Sequence, residues 1–165
     1  MPKKNIRDMI GYGSKDLKVK WPNNARLAVH EAKLDGYDGA LMLTPDDYVS
    51  EAPIACFFMV RDGKLITPSC SSNILESVTR DTIITRYQET TGHQVEQRSV
   101  DRSELYFADE AFLCGTGQEI IPVTSIDHFS VGDGSIGPIT ENIRQDYFNI
   151  VRNPNADHKE WRTLV

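Results

Sequence analysis

Cysteine, clustered positive charge and long apolar runs are all scarce in this chain of 165 residues. Its three cysteines are widely spaced, which argues against a disulfide framework or a zinc site and favours a reducing compartment. Lysine and arginine number 18 against 24 acidic residues, and no basic run alternates with aromatic residues, so nucleic-acid binding is unsupported. No apolar stretch approaches a membrane span, and the N-terminus is too polar for a secretory signal. We therefore expect a cytoplasmic protein without a membrane or nucleic-acid partner.

Common catalytic signatures are missing as well. The four histidines are scattered, and none has metal-ligand spacing to another histidine, cysteine or acid. The chain contains no Gly-x-Ser-x-Gly elbow, Walker loop or dinucleotide fingerprint. These absences argue against a serine hydrolase and a metal hydrolase. The length fits one domain, and 39% hydrophobic residues suffice for a substantial core.

Strand-like and helix-like segments alternate, which predicts a mixed α/β class. We predict helices at 25–35, 81–91 and 140–151, and strands at 17–21, 39–43, 48–51, 56–61, 64–67, 111–113 and 120–123. Asp62-Gly63 indicates a hairpin turn, and Thr140 is predicted to cap the last helix. Residues 1–17 have the composition of a linker, residues 18–152 form the predicted domain, and residues 153–165 are a polar tail of the kind that is often disordered.

Two segments offer backbone amides beside a threonine hydroxyl. A glycine turn, Gly115-Thr116-Gly117, separates two apolar runs, and such a turn is either a plain connection or a place where N–H groups converge on an anion. Val78-Thr79 precedes a predicted helix, where Thr79 either caps the helix or joins the free N–H groups in binding a phosphate. The coincidence of two such segments favours a phosphorylated ligand.

Lys18 and Glu51 are candidates for chemistry. Lys18 lies in an alternating segment, and a lysine that points inward from a strand loses water and becomes a nucleophilic amine. Pattern alone favours a solvated lysine, and Lys20 shares the same strand face. Glu51 ends a short predicted strand, where it is either a surface acid or a partner for a cationic ring nitrogen. The acid pair Asp109-Glu110 is interpreted as structural, at a helix-to-strand junction.

The order of motifs resembles the class IV, or fold type IV, pyridoxal-phosphate aminotransferases. The matching pieces are Leu27-Ala28 with Glu31-Ala32-Lys33 and Gly36-Tyr37, then Gly39–Leu43, Tyr48–Glu51, Val60–Pro68, Ser72–Asp81, Glu104–Phe112, Gly115-Thr116, Glu119–Val123 and Gly137–Thr140. Together they extend from about Lys18 to Val151. The resemblance implies a mixed-sheet pseudo-barrel, as in the large domain of D-amino acid aminotransferase-like enzymes, and pyridoxal 5′-phosphate as the cofactor.

The resemblance also implies roles for residues. Lys18 would form the Schiff base with the cofactor and move the proton. Glu51 would keep the pyridine nitrogen protonated. The cofactor phosphate would be bound by residues of the two threonine segments, Val78, Thr79 and Thr116. The substrate carboxylate would lie near the amides of Thr116, Gly117 and Gln118.

Within this family, the implied activity is transfer of an amino group from an amino acid, of branched-chain type, to a 2-oxo acid. Tyr106–Thr116 resembles the branched-chain branch, whereas the spacing from Lys18 to Glu31 resembles the D-amino acid aminotransferase and lyase branch. The alternatives are an aminodeoxychorismate lyase-like enzyme and a catalytically silent partner or vestigial domain.

Cys56 stands where many relatives have an asparagine. Only 17 residues precede Lys18, so we expect the family's small N-terminal domain to be absent, and a homodimer or another polypeptide to complete the site.

Overall fold

The computed structural model describes residues 15–20 and 25–161, and in the first strand it describes the side chain of Leu17 alone. Eight strands and three helices are assigned in these ranges. The strands are β1 (Lys15–Lys20), β2 (Gly39–Met42), β3 (Cys56–Arg61), β4 (Lys64–Pro68), β5 (Glu96–Arg98), β6 (Glu110–Gly115), β7 (Glu119–Ile126) and β8 (Phe129–Ser130). The helices are α1 (Ala25–Leu34), α2 (Val78–Thr91) and α3 (Pro138–Arg152), with short 3-10 turns at Cys70–Ser72, Arg102–Phe107 and Lys159–Trp161.

All eight strands belong to one mixed sheet. Their order is β2-β1-β7-β6-β3-β4-β5, and β8 pairs with β7 beside this path. β1 runs parallel to both of its neighbours and β4 runs parallel to β5, while the other pairs are antiparallel. This arrangement confirms the predicted mixed α/β class. β1 begins at Lys15, three residues before the predicted start of the domain at residue 18. The division of the chain into linker, domain and tail stays a prediction.

The central strand β3 is buried on both faces of the sheet. Because successive side chains of a strand point to opposite faces, Phe57 and Met59 enter one apolar cluster, and Phe58 and Val60 enter the other. Tyr87 of α2 joins the second cluster. The two clusters therefore place a core on each side of the same sheet, as expected for a strand that reads as a continuous apolar run.

The hairpin between β3 and β4 forms where Asp62-Gly63 predicts it. Both turn residues have positive φ, 51° at Asp62 and 72° at Gly63, as two-residue hairpin turns of this kind require. The predicted first helix is confirmed as α1, and it is followed by Gly36 at φ 87°. A left-handed residue after a helix is a common C-terminal stop, and glycine adopts it without strain.

The predicted strand at 48–51 is wrong. Tyr48 and Val49 each form a single bridge, to Asp101 and Leu43 respectively. The Val49 N–H donates to the carbonyl of Val100 at 2.8 Å. Successive residues of this segment thus pair with different parts of the chain, so a continuous ladder does not form although the residue types favour a strand.

The predicted cap of the last helix is also wrong. α3 begins after Gly137, and its first amides are bound by the buried carboxylate of Glu110, which accepts the N–H groups of Ile139 at 3.0 Å and Thr140 at 2.6 Å. A Cβ on Gly137 would lie 2.1 Å from the Glu110 carboxyl carbon, so glycine makes room for this carboxylate. The structural interpretation of Asp109-Glu110 is confirmed, since a carboxylate is favoured at a helix N-terminus.

The described part of the tail contacts the body of the domain. His158 stacks on Trp161, with ring centroids 3.8 Å apart. Its Nε2 lies 2.9 Å from the Oε2 atom of Glu89 on α2. Residues 153–161 are therefore held by side-chain contacts that their polar composition did not indicate.

Candidate functional site

Glu51 lies at the start of the loop that leads into β3. Its Oε2 atom accepts the backbone N–H of Leu75 at 3.1 Å, and the thiol of Cys56 lies 4.0 Å from the same oxygen. Partial burial raises the pKa of Glu51 above its ordinary value, while the Leu75 N–H opposes that shift by favouring the carboxylate. Glu51 is thus a half-buried acid held by a backbone donor, an arrangement suited to a cationic partner.

This environment predicts how stability changes with pH when Glu51 is replaced by glutamine. Because the pKa of Glu51 is raised on folding, the folded chain binds that proton more tightly than the unfolded chain. The carboxylate therefore penalises folding progressively as pH rises above the ordinary value of 4.5. Glu51→Gln removes this contribution. The unfolding free energy of the variant, relative to that of wild type, should therefore increase as pH rises from 4 towards 7, as measured by urea unfolding.

The control for that experiment is Glu76→Gln, because Glu76 is exposed and lies in the same connection. This variant removes a carboxylate of the same type from an exposed position, and its pH curve is the reference for the gain of Glu51→Gln. Parallel pH curves for Glu51→Gln and wild type would contradict the expected effect of burial at Glu51.

Val78 and Thr79 form the first turn of α2. Ser77 caps this helix, because its hydroxyl accepts the N–H of Arg80 at 3.3 Å. The interpretation of Thr79 as the cap is therefore wrong, and helix geometry leaves the N–H groups of both residues without an intrahelical acceptor. Thr79 is buried. Burial raises the pKa of Tyr147 on α3, and the nearby side chain of Thr79 opposes that rise. This helix start combines free amides with a hydroxyl, which is the requirement for holding a phosphate.

Thr116, Gly117 and Gln118 form the turn between β6 and β7. Thr116 and Gly117 are exposed, and the Gln118 N–H closes the turn on the Gly115 carbonyl at 3.1 Å. A Cβ on Gly115 would lie 3.0 Å from the carbonyl oxygen of Ile54. The absence of a side chain at Gly115 thus lets this turn lie directly against the loop that follows Glu51.

The chain therefore brings together three of the predicted site segments. Leu75 connects Glu51 to the start of α2, and Gly115 connects the loop after Glu51 to the β6–β7 turn. Lys18 lies within β1, where its backbone pairs with Ala40 of β2. The predicted inward orientation of its side chain lies outside the described residues. The chemical roles assigned to all these residues remain predictions.

The described residues line cavities at two places that bear on the site. One of about 180 Å³ lies beside the predicted site and includes Pro53, Ile54 and Gln118 in its lining. The other, about 280 Å³, lies between α2 and α3 around Arg86 and contains none of the predicted site residues. Of these two cavities, the smaller one borders a predicted site residue, Gln118.

Some contributors to this site were not predicted. Leu75 contributes its backbone N–H, a group that nearly every residue type has, so the sequence does not single it out. Tyr147 lies 68 residues after Thr79 in the chain, and only its place on the inner face of α3 pointed towards the core. Within residues 15–20 and 25–161, no group of three or more potential ligands could hold a metal ion. None of the helices assigned in those ranges is long and apolar enough to cross a membrane.

The described residues place a mixed sheet, the half-buried carboxylate of Glu51 and the start of α2 in one domain. The chain belongs to the class IV amino-transferase family, whose sequence profile matches residues 15–126. A probable branched-chain-amino-acid aminotransferase of Aquifex aeolicus is 44% identical over 142 residues, which are 86% of this chain and 46% of the relative.

Solved structures show the same relationship. The branched-chain amino acid aminotransferase of Thermobaculum terrenum in its PLP form matches with a TM-score of 0.87 and 42% identity, over 91% of this chain and 55% of that one. The branched-chain aminotransferase of the thermophilic archaeon Thermoproteus uzoniensis with norvaline matches with a TM-score of 0.85 and 32% identity, over 92% and 56%. These likenesses confirm the predicted fold. The chain spans about half the length of the relatives it matches.

Proposed function

We propose that this chain is the cofactor-binding part of a pyridoxal-phosphate aminotransferase that acts on branched-chain amino acids and a 2-oxo acid. The observation that carries the proposal is the contact between Glu51 and Leu75, which places an acid suited to a ring nitrogen next to the start of α2. Family membership supports the same chemistry, and the named relatives are branched-chain enzymes. The chain spans about half of these relatives, so the activity is proposed for a whole enzyme of which this chain corresponds to one part.

The described residues fit this cofactor. The half-buried carboxylate of Glu51 suits a protonated pyridine nitrogen, since an opposite charge offsets the cost of burying it. The unpaired amides at the start of α2 and the hydroxyl of Thr79 suit a dianionic phosphate, and Thr116 offers a second hydroxyl. When bound, the cofactor supplies an electron sink that stabilises negative charge at the substrate α-carbon.

The chain's own groups would then divide the work. Lys18 would attach the cofactor through its amine and carry a proton to and from the substrate α-carbon. Glu51 would hold the proton on the ring nitrogen. The turn of Thr116, Gly117 and Gln118 would bind the substrate carboxylate through the N–H groups of Thr116 and Gly117, since N–H groups converging in a turn favour an anion. The Gln118 N–H closes the turn on the Gly115 carbonyl and holds it in shape. A homodimer or a second polypeptide would complete the pocket, and cytoplasmic location stays part of the proposal.

A direct test is binding of pyridoxal phosphate followed by borohydride reduction and peptide mapping. We expect absorbance in the violet, and a reduced adduct on Lys18, with the chain alone or with the N-terminal half of a relative added. Glutamate formation from a branched-chain amino acid and 2-oxoglutarate should accompany the adduct in the complemented sample. Absence of an adduct under both conditions would favour a catalytically silent domain.

The lyase alternative is favoured by one observation, the spacing from Lys18 to Glu31, which resembles the D-amino acid aminotransferase and lyase branch. The two reactions give different products. Pyruvate release from aminodeoxychorismate would indicate the lyase, whereas glutamate formation from a branched-chain amino acid would indicate the aminotransferase.

Thr79→Val should weaken binding of pyridoxal phosphate about tenfold. The variant keeps the shape of the side chain but removes a hydroxyl predicted to donate to a charged phosphate, a bond worth about 1.5–3 kcal/mol. Fluorescence or absorbance titration measures the change. Thr82→Val is the matched control, because the Thr82 hydroxyl donates within α2 to the carbonyl of Val78 at 2.9 Å. Equal affinities of the two variants for pyridoxal phosphate would show that the Thr79 hydroxyl does not bind the phosphate.

A further inference from the structure

Two buried cysteines face each other across the centre of the sheet. Cys56 of β3 and Cys114 of β6 are directly opposite in an antiparallel register, and their exposed fractions are 3% and 0%. The next pair on the same face, Phe58 and Phe112, stacks with ring centroids 4.9 Å apart. Side chains opposed on this face of the two strands are therefore in contact.

The spacing suits a covalent bond between the two sulfur atoms. Directly opposite residues of an antiparallel pair have Cα atoms about 4.5–5.5 Å apart, which lies within the range of about 4.4–6.8 Å found for disulfides. Cys56, Cys114 and the exposed Cys70 are all free thiols in this structure. The strands need no change of register to join Cys56 to Cys114.

The two thiols are chemically unequal. A hydrogen bond with Cys114 lowers the pKa of Cys56 and outweighs burial and the Glu51 carboxylate, which both act to raise it. The same bond, together with burial, raises the pKa of Cys114. An oxidant would consequently react first at Cys56, because the thiolate is the nucleophilic form of cysteine.

Cys56 also contacts the proposed site. Its Sγ atom lies 4.0 Å from Oε2 of Glu51 and 3.6 Å from the carbonyl oxygen of Leu75. A thiol at these positions is a weak donor to both oxygens. A disulfide with Cys114 would remove that hydrogen and fix the sulfur against β6.

We propose that Cys56 and Cys114 are a thiol modification site, which forms a reversible disulfide under peroxide and thereby loosens the carboxylate of Glu51. The second part rests on the proposed function. The Cys56 thiolate attacks one peroxide oxygen, the O–O bond breaks, and hydroxide leaves to be protonated to water. The Cys114 sulfur, losing its proton, then attacks the Cys56 sulfenic acid and expels a second water. Two thiols are oxidised and one peroxide is reduced, so electrons and atoms balance.

The test treats the reduced chain with hydrogen peroxide and maps its peptides without reduction. Cys70→Ser is the background for all samples, so that the exposed thiol of Cys70 cannot form intermolecular disulfides. We expect a linked peptide pair containing Cys56 and Cys114 that dithiothreitol separates. Cys114→Ser in this background should instead carry sulfinic acid at Cys56. Unlinked Cys56 and Cys114 after peroxide treatment, whether still reduced or over-oxidised, would overturn the proposal.

The coupling to Glu51 is measured by titrating pyridoxal phosphate into the reduced, oxidised and re-reduced Cys70→Ser chain. Oxidation should weaken binding about threefold, as expected for loss of one weak hydrogen bond, and dithiothreitol should restore it. Linked cysteines with unchanged affinity would overturn the coupling. Linked cysteines in a chain that never binds the cofactor would contradict the proposed function and leave the disulfide standing.

Discussion

Lys18→Met is expected to abolish amino transfer, with a loss of at least about a thousandfold in the complemented enzyme. Methionine has a similar length and fits a strand, but it offers no amine for covalent attachment or proton transfer, and such catalysis contributes factors of this size. The reduced adduct should also disappear from β1. Turnover and peptide mapping after borohydride treatment measure the two effects independently.

Lys20→Met is the matched control, because Lys20 lies two residues further along β1. It should keep both the adduct and the activity within a few-fold of wild type. The opposite result, an adduct that survives Lys18→Met and vanishes with Lys20→Met, would show that the alignment of β1 with the family is wrong by two residues.

Gly132→Ala should destabilise the fold by about 3 kcal/mol or more. Gly132 has a positive φ of 55°, and a Cβ there would lie 2.3 Å from the carbonyl oxygen of Asp109. A left-handed conformation costs an L-residue about 1–2 kcal/mol, and forcing an atom into packed structure costs about 1–3 kcal/mol more. For a chain of this size the melting temperature should fall by about 10 °C.

Gly134→Ala separates the two causes. Gly134 also has a positive φ, 83°, but the nearest atom to an added Cβ is the hydroxyl oxygen of Ser130 at 3.4 Å. This variant should lose about 1–2 kcal/mol, from the backbone conformation alone. Equal losses at Gly132 and Gly134 would mean that the loop moves away from Asp109 at little cost.

Local signals in the sequence predicted the elements whose cause is local. The hairpin at Asp62-Gly63 depends on two residues that tolerate positive φ, and α1 depends on helical spacing ended by Gly36. β5 and β8 were not predicted. Both are two or three residues long, and β5 exists because β4 offers it an edge to pair with.

The starts of α2 and α3 show why other features of the fold were predicted wrongly. Position favoured Thr140 as a cap, yet a carboxylate thirty residues earlier, Glu110, binds the first amides of α3. α2 begins three residues before the predicted start, because Ser77 supplies the cap and Val78 continues into the helix. A cap supplied by a distant residue leaves no trace in the neighbouring sequence.

The candidate site was identified mainly through its family resemblance. Composition and spacing left Lys18, Glu51 and Thr79 with ordinary surface or capping interpretations of equal or greater weight. The structure adds the contact of Glu51 with Leu75 and the closeness of Gly115 to Ile54, which local pattern cannot supply. The orientation of Lys18 stays a prediction.

A single residue, Glu76, separates the amide of Leu75 from the cap of α2 at Ser77. A ligand that binds the Glu51 carboxylate and fixes its position should therefore also reduce local opening at the start of α2, although it makes no contact with the helix. Hydrogen exchange at the amides of Arg80 and Asp81, which donate to Ser77, should slow when a pyridoxal analogue without phosphate binds at Glu51. Amide exchange at the start of α2 would then show whether a ligand is bound at Glu51, without an activity assay.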